Sequence, residues 1–147
     1  MLTASWSSTG GVAVASTDLP AGFARALHRI GHDLHVRQFN GSVERIEFEA
    51  RFETDLGAVW LHSNVTTRGS GPRGFGVSGG GIVLDATDEQ IVVNFADLVQ
   101  DQIARTGVAW PKGDARGVLR PVLTSDVATW TDGDSVRAAI GDLAAAR

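Results

Sequence analysis

From Arg45 to Glu53 apolar and charged side chains alternate at every step. Only a β-strand separates such a set into two faces, because its side chains repeat every two residues, whereas a helix would scatter both kinds around its circumference. A strand is therefore predicted over Val43–Glu53. Ile46, Phe48, Ala50 and Phe52 lie on its dry face, and Arg45, Glu47, Glu49, Arg51 and Glu53 on its wet face. A strand of this kind belongs to an antiparallel sheet covered on one side.

Thr54–Gly57 reads as a tight turn and Ala58–Thr67 as the returning strand. With Glu53 opposite Ala58, Phe52 meets Val59, Ala50 meets Leu61, Phe48 meets Ser63 and Ile46 meets Val65. A slip of one residue would turn the apolar sets to opposite faces, so this register is the one expected. It puts Trp60 and His62 on the wet face, beside Arg51 and Glu49.

The remaining segments build around this hairpin. Val12 and Val14 predict a short first strand in Gly11–Ser16. Asp18 and Pro20 open a helix whose apolar face is Phe23, Leu27, Ile30 and Leu34, weakened locally by Gly31. Gly69–Gly74 reads as a loop, and Phe75–Asp85 as a third strand with a bulge at Gly79–Gly81. Thr87 and Gln90 form a capping box for a second helix with the stripe Ile91, Phe95, Leu98, Val99 and Ile103, ended by Gly107. After a loop over Trp110–Gly117, Val118–Leu123 and Val127–Thr131 predict a small hairpin. Asp132–Gly133 is a turn, and Ser135–Ala146 is expected to be a closing helix with Val136, Ile140 and Leu143 facing inward. The expected fold is one α+β domain over residues 1–147. Its antiparallel sheet comprises a three-strand meander and a small C-terminal hairpin, with helices packed on one face.

Composition narrows the function. The chain has 147 residues, 43% of them hydrophobic and 20% charged, which suits a packed core and not a disordered chain. It has no cysteine, which excludes disulfides, thiolate chemistry and cysteine-based zinc sites. Its 13 basic and 17 acidic side chains leave a net charge of −4, the wrong balance for a broad nucleic-acid surface. No basic leader with an apolar run opens the chain, and no stretch reads as a membrane span, so a cytoplasmic location without membrane attachment is expected.

Four patterns bear on chemistry. Gly76-Val77-Ser78-Gly79-Gly80 matches a nucleophile elbow in letters, but a strand and not a helix is expected after it, and all the histidines precede Ser78. No catalytic residue is assigned. Gly69-Ser70-Gly71-Pro72-Arg73-Gly74 matches a phosphate-cradling motif, yet it does not open a helix. A small-ligand or nucleotide binder using the Gly69–Gly81 loop is one alternative. His28, His32 and His35 are spaced to share a helix face, so a metal-binding enzyme or sensor, with zinc as its cofactor, is another. The preferred reading needs no cofactor.

The C-terminal part resembles small actinobacterial proteins that carry a zinc-ribbon-like tail. The resemblance rests on Ala96-Asp97-Leu98-Val99-Gln100-Asp101, Ala109-Trp110-Pro111, Pro121 and Ala128-Thr129-Trp130. Those relatives have cysteines where this chain has Lys112, Gly113 and Asp114, and again where it has Thr131. The resemblance therefore implies a structural hairpin packed by Trp110 and Trp130, without a metal and without an assigned activity.

The wet face carries the most weight. Trp and Arg are enriched at interaction hot spots, and Trp60, His62, Glu49 and Arg51 cluster there. The expected function is a small acidic, non-catalytic protein-interaction module, an adaptor or an immunity-like inhibitor. Its expected partner is a protein, neither nucleic acid nor membrane, and self-association of the chain stays open. Against this stands the ordinary alternative that Trp60 is covered by the N-terminal segment, near Trp6.

Overall fold

The alternating segment is a strand over its whole predicted length, and it pairs with Ala58–Thr67 in the register read from the sequence, from Glu53↔Ala58 through Phe52↔Val59 and Ala50↔Leu61 to Ile46↔Val65. The structure, a computed structural model, describes residues 1–68, 71–77 (backbone only), 81–114 and 117–145. In chain order the elements are β1 (Leu2–Ser7), β2 (Gly11–Thr17), α1 (Ala21–Leu34), β3 (Val43–Glu53), β4 (Ala58–Thr67), β5 (Gly71–Val77), α2 (Asp88–Ala104), β6 (Arg120–Thr124), β7 (Val127–Asp132) and β8 (Ser135–Ala139).

The architecture is α+β. The first five strands form an antiparallel sheet in the order β2-β1-β3-β4-β5, and the last three a second sheet in the order β6-β7-β8. The expected meander is thus larger than three strands, because β1 inserts between β2 and β3. Leu2, Ala4 and Trp6 alternate inward along β1 and are buried, the same period-two signal in a shorter and less charged form. The expected loop at Gly69–Gly74 is corrected too: β5 begins at Gly71. Between His62↔Val77 and Val59↔Ile82 the pairing register moves by two residues, while the residues of the expected bulge at 78–80 lie outside the described ones.

Both helices lie on the same side of the five-stranded sheet. Phe23, Leu27, Ile30 and Leu34 of α1 are buried, as are Ile91, Phe95, Leu98, Val99 and Ile103 of α2, and all join one core cluster. The capping box of Thr87 and Gln90 is present in both directions. Gly31 does not end α1. A Cβ at that position would sit 2.2 Å from Cγ2 of Val12, so its absence lets the helix lie directly on β2. The buried Gly31 carbonyl accepts the Trp6 indole N–H at 2.9 Å.

The expected closing helix over Ser135–Ala146 is overturned. Asp132 pairs with Ser135 across a two-residue turn in which Gly133 has φ 59°, so β7 reverses into β8. The helical spacing of Val136, Ile140 and Leu143 was coincidental: Val136 is exposed on β8, and Ile140 and Leu143 are buried beyond its end. As expected, Trp110 and Trp130 are packing residues. Both are buried, with ring centroids 5.3 Å apart in an edge-to-face arrangement.

Candidate functional site

Because the helices cover one side of the five-stranded sheet, the alternate side chains of each strand stand on the uncovered side. Rows across the strands fix the neighbours: Thr3 meets Glu49 and Glu49 meets His62, Ser5 meets Glu47 and Glu47 meets Asn64, and Arg51 meets Trp60. The sequence-predicted residues Trp60, His62, Glu49 and Arg51 are therefore brought together as two adjacent cross-strand pairs.

The face has two halves. No residue from Met1 to Thr17 carries a charged side chain, and the β1–β2 half presents Thr3, Ser5, Ala13 and Ala15. These small groups leave an open groove of about 560 Å³, bounded on the other side by Arg45, Glu47, Glu49, His62 and Asn64. The β3 half is charged but neutralises itself along the strand. Arg51 Nη2 donates to Glu49 Oε1 at 2.6 Å, and Arg45 Nε donates to Glu47 Oε1 at 3.2 Å. Such exposed pairs stabilise the fold by about 0–1 kcal/mol, so their side chains are free to exchange partners.

Trp60 is half-buried, and the N-terminal segment is not what covers it. Trp6 points to the opposite side of the sheet and is buried in the core. The cover is Gly81. A Cβ there would lie 3.0 Å from Trp60 Nε1 and 2.4 Å from the Ala58 Cβ, so only glycine allows this crossing. The indole Nε1 is shielded at that contact and has no acceptor among the described residues.

The three-histidine set is only partly kept. His28 is exposed on α1, and the His32 side chain is 61% exposed with Nδ1 3.0 Å from Asp33 Oδ1. His35 lies past the last helical residue, and its ring sits 5.1 Å from that of Trp6. Among the described residues no group of three or more His, Cys, Asp or Glu is placed to hold a metal ion. Gly71 and Gly74 of the phosphate-like motif lie within β5, and Gly69 and Ser70 lie outside the described residues, as does Ser78 of the elbow-like motif. Among the described residues no helix is long and apolar enough to cross a membrane.

Sequence reasoning missed Asp33, which gathers several hydrogen bonds. It is fully buried, and its carboxylate accepts the Trp130 indole N–H and the Gly141 amide, each at 2.7 Å, and the Leu143 amide at 3.0 Å. Its carbonyl accepts the Trp110 indole N–H at 3.0 Å. Arg29 and Arg37, four residues to either side, donate to the carbonyls of Ile140 and Ala144. The signal was available: Asp33 stands three residues after Ile30 on the buried stripe. This network is a structural joint that fastens the second sheet and the 140–144 segment to α1.

Three of the four shifted titratable groups stand on the two helices, and the fourth, Asp18, follows β2. The Arg29 guanidinium beside Glu89 holds that carboxyl below its ordinary range, helped by the Ala128 amide. Arg25 does the same for Asp88 and is itself raised by it, and the N-terminal amine holds Asp18 low. Their counter-charges account for these shifts.

Compared with protein-family models, with curated proteins and with solved structures, the chain matches none of them.

Proposed function

We propose that this chain is a non-catalytic interaction module that captures a protein partner on the open face of its five-stranded sheet, around Trp60, His62, Glu49 and Arg51. One observation carries the reading: two helices cover one side of the sheet, while the other side joins a half-buried tryptophan to a small-residue groove and a row of ion-paired charges. An aromatic side chain with arginine beside it is the composition enriched where binding energy concentrates. The uncharged β1–β2 half offers area whose burial costs little desolvation, and the Arg–Glu pairs can re-pair across an interface to fix orientation. The chain's net charge of −4 suits a partner with a basic surface. An adaptor and an inhibitor both fit this geometry. Neither needs a cofactor or a metal.

The test places a photo-crosslinking residue at Glu49 and, separately, at Asp101 on the exposed side of α2, in cells that produce the protein. The expected result is one crosslinked protein from position 49 and none from position 101, lost in Arg51→Glu and Trp60→Ala chains that keep their circular-dichroism spectrum. Equal crosslinking from both positions, or no crosslinked protein from position 49, overturns the reading.

A further inference from the structure

The exposed side of α1 carries a second arrangement, independent of the sheet face. His28 and His32 stand one helical turn apart, and residues four apart in a helix have Cβ atoms about 5–6 Å from each other. His28 is exposed and makes no hydrogen bond or ion pair among the described residues. The His32 side chain is 61% exposed, and its Nδ1 lies 3.0 Å from the Asp33 carboxylate. A carboxylate accepts, so in the neutral ring Nδ1 carries the hydrogen and Nε2 keeps the lone pair. Asp33 cannot drift to another partner, since Trp130, Gly141 and Leu143 hold it. A fixed carboxylate behind an imidazole is the support that metal-ligating histidines use to set tautomer and ring orientation. The helix beneath is fixed by its buried face and by the Gly31–Val12 contact. The neighbouring cations are occupied: Arg25 is paired with Asp88 at 2.7 Å and Arg29 with Glu89 at 2.5 Å.

We propose that His28 and His32 form a two-imidazole site for a first-row divalent ion that favours nitrogen ligands, namely Cu²⁺, Ni²⁺ or Zn²⁺, with water in the remaining positions. Imidazole suits these ions and not Mg²⁺ or Ca²⁺, and Cu²⁺ binds tightest of the three by the general order of divalent affinities. His35 takes no part, because it falls beyond the end of α1 and its ring is against Trp6.

The experiment is calorimetric titration with nickel chloride in a non-chelating buffer, on the full chain and on His28→Ala, His32→Ala, His35→Ala and His62→Ala. One ion per chain is expected, bound about tenfold or more weakly by His28→Ala and by His32→Ala. His35→Ala and His62→Ala are expected to match the parent. His28 is exposed and makes no hydrogen bond or ion pair among the described residues, so its variant reports on ligation with little expected change in folding. No saturable binding, unchanged binding by His28→Ala, or a loss of binding in His35→Ala overturns the proposal.

Discussion

The two faces of the five-stranded sheet come from the same strands and obey opposite rules. On the covered face Leu2, Trp6, Ile46, Phe48, Ala50, Val59, Leu61 and Val65 are buried. The fit there is close enough that one methyl group at Gly31 would collide with Val12. On the open face the side chains around Trp60 are mostly small or charged, and Arg45 pairs with Glu47 and Arg51 with Glu49 along β3. The difference teaches where this fold is constrained. Shape complementarity holds the covered face, whereas the open face contributes little to stability and is free to serve a partner.

The largest effect that sharpens this contrast is expected behind the covered face. In Asp33→Ala, two backbone amides and the Trp130 indole N–H lose a buried acceptor. Each unsatisfied donor costs about 1–3 kcal/mol, so a loss on the order of 5 kcal/mol is expected by urea denaturation. That is comparable with the whole stability of an ordinary domain, and the variant should populate unfolded chain at neutral pH. A loss under about 1 kcal/mol would show that water replaces the carboxylate and that the joint is not buried in solution.

Phe48 and Ser63 test the covered face itself, since they stand opposite each other in the hairpin. Phe48→Ala is expected to lose about 3–4 kcal/mol, the cost of emptying a core aromatic site. A change below roughly 1 kcal/mol would contradict the observed register. Ser63→Ala should act the other way. The Ser63 hydroxyl is buried with no partner among the described residues, so removing it is expected to raise stability by about 1 kcal/mol. Destabilisation by Ser63→Ala would mean that the hydroxyl has an acceptor in solution.

Much of this contrast was legible in the residues, for physical reasons. Strict alternation fixes a strand and its register together, which is why every pair from Glu53↔Ala58 to Ile46↔Val65 is as expected. Helical stripes with a capping box are equally local, so α1 and α2 were readable. β1 was not, because Leu-Thr-Ala-Ser-Trp-Ser carries no charge to mark its open face. β8 was masked by a chance helical spacing and betrayed only by the glycine turn before it. At the candidate site the neighbours of Trp60 followed from register, but its cover by Gly81 depends on a contact that no local pattern encodes. Asp33 was hidden for the same reason. A carboxylate on a buried stripe is noticeable, yet its partners lie near residues 130–143, about a hundred positions away.

The smallest effect decides whether the open face is truly spare. Glu47 sits next to Phe48 in sequence but on the opposite side, with its side chain 62% exposed and its carboxylate paired to Arg45. An exposed pair between neighbours on one strand has little stability to lose, and the pairing spans one strand only. Glu47→Ala is therefore expected to change unfolding free energy by less than about 0.5 kcal/mol. Set against the Phe48→Ala loss, this would separate the two faces by several-fold at adjacent positions. A loss above about 1 kcal/mol in Glu47→Ala would instead show that the charged row holds the sheet together. The open face would then be structural, and the proposal of a partner site on it would fall.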